Sequence, residues 1–153
     1  MALLPDLTSI YNFYLLNESI ASAGQPTADE LTAVKQAGYQ VIINLATSDA
    51  TQALLNERSL VAQLGLDYVH IPVIWAAPKR RDFELFCQTM QAYNGRKIFV
   101  HCIANMRVSA FLYLYQRYLG LPEPNARRIL DAIWQPNPVW QQFLDDVLAD
   151  LSG

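Results

Sequence analysis

The sequence predicts an α/β domain: a central, mostly parallel sheet of four or five strands with helices on both faces. Three observations predict it. Short β-branched runs alternate with longer stretches of helical period. One of those runs, Val41-Ile-Ile-Asn-Leu45, is apolar almost throughout, as a strand covered on both faces requires. The segment from Val108 to Leu119 is apolar nearly all round, which marks a central buried helix. Strands that alternate with helices pair in parallel, because each crossover helix must pack back on the sheet.

The elements follow in order. Leu7 to Leu16 fits helix and strand equally, and Ser19 to Ala23 reads as a strand. Thr27-Ala-Asp-Glu30 is a capping box, in which hydroxyl and carboxylate satisfy each other's unpaired amides. It opens a helix with Leu31, Val34 and Ala37 inward, stopped by Gly38. After the Val41–Leu45 strand, a second helix is expected over Ala53 to Leu64, with Leu54, Leu55, Val61 and Leu64 in the core. Leu66 to Val73 is the next strand. Beyond Pro78 and the Lys79-Arg-Arg81 cluster, Phe83, Phe86, Cys87 and Met90 stand at i, i+3, i+4 and i+7 of a helix that Asn94-Gly95 ends. Lys97 to Val100 is a core strand, followed by the buried helix. Pro124 to Trp134 and Pro138 to Leu151 are further helices, each with proline near its start.

Composition narrows the class. With 153 residues the chain has the size of one domain, residues 1–153. Hydrophobic residues at 52% and charged residues at 16% exclude disorder and coiled coil. A net charge of −3 argues against nucleic acid as a partner. Two cysteines are too few for a disulfide framework or a four-thiolate zinc site, and no metal or organic cofactor is implied. The first basic side chain is Lys35, and polar residues break the apolar stretch from Ile98 to Leu121. The expectation is therefore a cytoplasmic protein with no secretory leader and no membrane partner.

In a parallel sheet, ligands bind where strands end and helices begin. That rule points to His101-Cys-Ile-Ala-Asn-Met-Arg107. Backbone amides and the helix dipole at such a junction favour the Cys102 thiolate and a bound oxyanion. Arg107 offers a planar fork for two anion oxygens, and Ser109 a hydroxyl for the thiolate. His101 orders the loop by a hydrogen bond. With Ile103, Ala104, Asn105, Met106, Val108 and Ser109, it is counted among the residues around the anion.

Val100-His-Cys102, a short loop, an arginine and a hydroxyl residue resemble the signature loop of the cysteine-based protein tyrosine and dual-specificity phosphatases. Ala23-Gly-Gln-Pro-Thr27, Val41-Ile-Ile-Asn-Leu45 and Tyr68-Val-His-Ile-Pro-Val73 are similar to the small bacterial phosphatase-like domains related to beta-lactamase-hydrolase-like proteins. The resemblance implies a phosphatase-like fold and phosphoric monoester hydrolysis through a Cys102 phosphocysteine. The partner it implies is a phosphorylated or other oxyanion substrate.

Two positions depart from that pattern. Four residues rather than five separate Cys102 from Arg107, which puts Val108 where arginine is usual and Asn105 where glycine is usual. Ile74 stands where relatives carry an acid, which leaves Asp82, in the first turn of the next helix, as the candidate general acid. The four-residue spacing also resembles rhodanese-type sulfurtransferases, which implies a Cys102 persulfide as the alternative chemistry. A non-catalytic anion-binding module is the third reading. Cys87 and His70 are read as structural, the tryptophans as packing, and no chemistry is read for Gln25.

Overall fold

A computed structural model describes residues 4–49 and 53–152. A 3-10 turn at Leu7–Ser9 leads to β1 (Tyr14–Leu15) and β2 (Ile20–Ala23). There follow α1 (Ala28–Gln36), β3 (Val41–Asn44), α2 (Glu57–Gln63), β4 (Asp67–His70), α3 (Arg80–Ala92) and β5 (Ile98–His101). The chain ends in α4 (Met106–Tyr118), α5 (Glu123–Ala126), α6 (Arg128–Ile133) and α7 (Pro138–Ser152). The ambiguous stretch before β2 thus resolves into a turn and a short edge strand. The sheet order is β1-β2-β5-β3-β4, antiparallel at β1 and parallel elsewhere. This is the single α/β domain with a mostly parallel sheet that the alternation of periods predicts.

The period of two in β3 and β5 divides the core. Val41, Ile43, Ile98 and Val100 pack with residues of α3, α4, α6 and α7. Ile42 and Phe99 pack on the other face with Ala21, Ala23, Leu31, Val34 and Val61. Because β5 lies between β2 and β3, both of its edges are hydrogen-bonded and both of its faces covered. The register sets Ala23, His101 and Asn44 side by side at one end of the sheet, where the loop after β5 emerges.

Several boundaries move, for local reasons. The capping box of α1 forms as expected, with Leu31 and Val34 buried, but Ala37 is the exposed C-cap, and Gly38 turns the chain at φ +95°. The helix expected from Ala53 begins only at Glu57. Asn56 takes φ +66°, ψ +22°, which a right-handed helix cannot contain, so Leu54 is half-buried and Leu55 is 81% exposed instead of in the core. Part of that expected helix's approach, residues 50–52, lies outside the described residues. The helix expected from Pro124 to Trp134 is two, α5 and α6, separated at Arg127, whose ψ of −12° tightens the turn toward 3-10 geometry. The regular β4 ladder ends at His70, two residues short of Pro72, which has no amide to donate. Phe83, Phe86, Cys87 and Met90 all face inward on α3.

Gly24 lets the chain pass close to the loop after β5 and to Tyr11. A Cβ there would lie 2.5 Å from the Ile103 carbonyl oxygen and 2.8 Å from the Tyr11 ring. Gly24→Ala is therefore expected to cost about 1–3 kcal/mol of stability by overpacking, measured by urea denaturation. A stability equal to that of the parent would contradict this packing.

Candidate active site

Strand alternation carries past the end of β5. Val100 and Cys102 belong to the face covered by α3 and α4, whereas Phe99 and His101 turn to the other. The chain then makes a tight loop and enters α4 through Asn105, which is left-handed at φ +64°, ψ +4°. Asparagine tolerates this region better than most residues, and here its side chain locks the turn. Its Nδ2 donates to the Asn12 carbonyl at 2.8 Å and the Ser22 hydroxyl at 3.1 Å.

The loop is gripped by its carbonyls. His101 Nδ1 lies 3.0 Å from the Cys102 oxygen, and the Gln25 amide donates to the Ile103 oxygen at 3.0 Å. Asn12 Nδ2 donates to the Ala104 oxygen at 2.9 Å. No peptide here is cis, so within each plane the C=O and the following N–H point in opposite directions. Holding the Cys102 and Ile103 oxygens outward turns the Ile103 and Ala104 amides inward. Those two amides, and the first three of α4 (Met106, Arg107 and Val108), donate to no described residue. Ser109 N–H, which bonds the Asn105 oxygen at 2.8 Å, begins the helical ladder. Unpaired amides at the start of a helix form an anion-binding cup.

Cys102, Ile103, Ala104, Met106, Arg107 and Trp75 line one cavity of about 180 Å³. At about 30 Å³ per water molecule, it has room for roughly six, and so for a tetrahedral oxyanion. Arg107 is only 6% exposed, and its Nη1 donates to the Val73 carbonyl at 2.9 Å. The rest of its fork bonds no described residue, and no described carboxylate pairs with it. A buried cation without a counter-ion is costly, and an anion in this cavity would supply one. Trp75 lines the same cavity. Its ring lies 5.3 Å from that of Trp134 and 5.8 Å from that of Trp140, and the Trp140 indole donates to its carbonyl at 2.8 Å. Sequence reading treats all three tryptophans as packing, whereas Trp75 also lines the cavity.

Other expected site residues land elsewhere. His101 is fully buried behind the loop, on the far face of β5 from Cys102, so it orders the loop without touching an anion. The Val108 side chain is in the core, leaving only its amide to the cup. Ser109 does not reach toward the thiol: its hydroxyl donates to the Met106 carbonyl at 2.8 Å and accepts from the Trp134 indole at 3.1 Å. Asp82 sits in the first turn of α3, outside the residues that line the Cys102 cavity, where a carboxylate favours the helix dipole. No carboxylate lines that cavity among the described residues. Cys87 borders a larger groove of about 690 Å³ between α3 and α7, but burial, with the Glu84 charge, pushes its thiol up to about 12.

The family model for the DSP-PTPase phosphatase fused to NAD+ kinase matches residues 15–128. The chain belongs to this family. It is also similar to a candidate phosphatase (DUF442) of Shewanella putrefaciens CN-32, at 35% identity and a TM-score of 0.84 over 95% of this chain and 96% of that one. The beta-lactamase hydrolase-like protein of Xylella fastidiosa strain Temecula1 is 31% identical over 60% of this chain. The match spans 22% of that relative's length. PTPMT1, solved in complex with PI(5)P, shares the fold at a TM-score of 0.77 and 12% identity, over 92% of this chain and 96% of that one. The resemblance read from the Cys102 loop and the upstream segments holds for both the phosphatase superfamily and the beta-lactamase-hydrolase-like relatives.

Within this family fold, sequence reading passes over one buried carboxylate. Glu57, at the first position of α2, is 5% exposed and lies 2.7 Å from His101 Nε2. Burial favours its neutral acid, but the His101 hydrogen bond and charge, with hydrogen bonds from Gln25 and Tyr68, outweigh burial and hold the carboxyl below its ordinary value of 4.5. Its contribution to stability is thus complete above pH 4.5 and is lost as pH falls through the lower folded value. The stability difference between parent and Glu57→Gln, measured by urea denaturation, should narrow as pH falls below 4.5. A difference that widens on acidification would contradict the sign.

Proposed function

We propose that the protein is a phosphoric monoester hydrolase that uses Cys102 as nucleophile. The observation that carries this reading is the buried, carboxylate-free Arg107 fork beside the Cys102 thiol and a cup of unpaired amides. The Cys102 thiolate attacks phosphorus, the P–O bond to the leaving group breaks, and a phosphocysteine forms. The Arg107 fork and the inward amides hold the equatorial oxygens as charge spreads over them. Water then cleaves the S–P bond, releasing inorganic phosphate and restoring the thiolate.

Among the described residues, no carboxylate lines the cavity to protonate a leaving oxygen. Esters of acidic phenols, whose anions leave unaided, are therefore the favoured substrate class. With aryl phosphates of graded phenol acidity, kcat/KM, which reports the step that breaks the P–O bond, should rise steeply as the phenol becomes more acidic. A flat series would mean that a general acid operates. Cys102→Ser should abolish turnover, and Arg107→Lys should cost about 10²–10³-fold in kcat/KM by losing the fork. Asp82→Asn should leave kcat within about threefold, less than the 10²–10⁴-fold that a general acid supplies.

Sulfur transfer through a Cys102 persulfide is the second reading, favoured by the four residues between Cys102 and Arg107. In that reaction the thiolate takes the outer sulfur of thiosulfate and releases sulfite, and cyanide then removes it as thiocyanate. One added sulfur on Cys102 by mass spectrometry, with thiocyanate formed and no aryl phosphate turned over, would favour this reading over hydrolysis.

A further inference from the structure

Two of the three contacts that grip the Cys102 loop converge on one side chain. Glu57 Oε2 meets His101 Nε2 at 2.7 Å, and Glu57 Oε1 accepts from Gln25 Nε2 at 2.7 Å. His101 in turn holds the Cys102 carbonyl, and the Gln25 amide holds the Ile103 carbonyl. A single carboxylate from α2 therefore spans both residues that turn the Ile103 and Ala104 amides inward. A peptide carbonyl and an ionised carboxylate have no hydrogen to offer, so both contacts of His101 require its ring nitrogens to donate. With both nitrogens donating, the ring would be an imidazolium paired with Glu57 and sealed from solvent.

The surroundings are consistent with this state. Tyr68 on β4 and Arg58 on α2 border the pair, with the guanidinium 4.9 Å from the Tyr68 ring centroid. Burial raises the Tyr68 hydroxyl above its ordinary range, so it stays neutral, and it accepts a hydrogen bond from Asn44 on β3. His70 borders the same pocket, with its Nε2 on the Ala46 carbonyl at 2.6 Å. The Phe99 ring, 6.4 Å from that of His101, is the apolar neighbour along β5. Glu57 is the one carboxylate lining this pocket among the described residues.

We propose that Glu57 is a positioning residue of the Cys102 site: its carboxylate fixes a doubly donating His101 and the Gln25 turn, and through them aims the Ile103 and Ala104 amides at the bound oxyanion. This rests on reading the loop as an anion cup. Glu57→Gln is nearly isosteric, keeps a hydrogen-bonding partner for both neighbours and removes the charge. Nitrogen-15 NMR of the His101 ring at pH 7 should show two protonated nitrogens in the parent and one in the variant. Inorganic phosphate, titrated against both proteins, should bind the variant about tenfold more weakly, with kcat/KM for an aryl phosphate falling at least as far.

If Glu57→Gln does not fold, Gln25→Ala removes one arm of the clasp. It should weaken phosphate binding about threefold while leaving the His101 signals in place. A parent His101 with one bare ring nitrogen would overturn the proposal. So would a folded variant (Glu57→Gln, or Gln25→Ala in its place) that binds phosphate as tightly as the parent, or a parent that binds none. A parent that binds phosphate in a Glu57-dependent way, yet hydrolyses no ester, would sink the hydrolase reading and leave the positioning role standing.

Discussion

The planarity of two peptide units carries most of what this site can do. Once the Cys102 and Ile103 oxygens are taken by groups outside the loop, the amides that follow have nowhere to turn but inward. Helix α4 then adds the unpaired amides of its first turn. No side chain is needed to make the cup positive, which is why residues as bland as Ile103 and Ala104 can occupy it. The side chains matter at its edges, where Arg107 and Trp75 close it and Asn105 turns the chain out of it.

The sheet supplies the separation of roles. Alternation along β5 puts the nucleophile on one face and the histidine before it on the other. Each face then acquires its own surroundings. On the Cys102 side, Trp134 and Trp140 back Trp75, and Trp134 ties up the Ser109 hydroxyl. On the His101 side, buried Glu57 joins half-buried Gln25 and Tyr68 in a polar network within an otherwise apolar layer. Within it Glu57 has both oxygens engaged, whereas Gln25 Oε1 has no hydrogen-bond partner among the described residues.

Much of this was legible from the amino acids. The sheet, the buried α4 and the position of Cys102 at a strand-to-helix junction all follow from period and from the rule for parallel sheets. The left-handed Asn105 agrees with the family resemblance, which sets it where glycine is usual, a conformation asparagine tolerates. What failed was local or distant. Leu55 carries the right period for a helix core, but one left-handed residue at Asn56 throws it into solvent. Ser109 has the right spacing for the thiol, but an indole from twenty-five residues further on takes its hydroxyl. Glu57 gives no signal at all in a stretch of polar residues, and Gln25 shows its use only beside it.

The sequence by itself determined the α/β class, the strand-loop-helix that bears Cys102, and the charge-bearing Arg107 at its end. These are consequences of local periodicity and of backbone geometry within a few residues, which need no knowledge of the rest of the chain. Only the tertiary structure decided which groups grip the loop, which side of the sheet each histidine, serine and tryptophan serves, and that no carboxylate among the described residues lines the cavity. Those outcomes depend on contacts across forty-four residues in the case of Glu57 and His101, and on which crossover helix covers which face. No pattern along the chain encodes such distances.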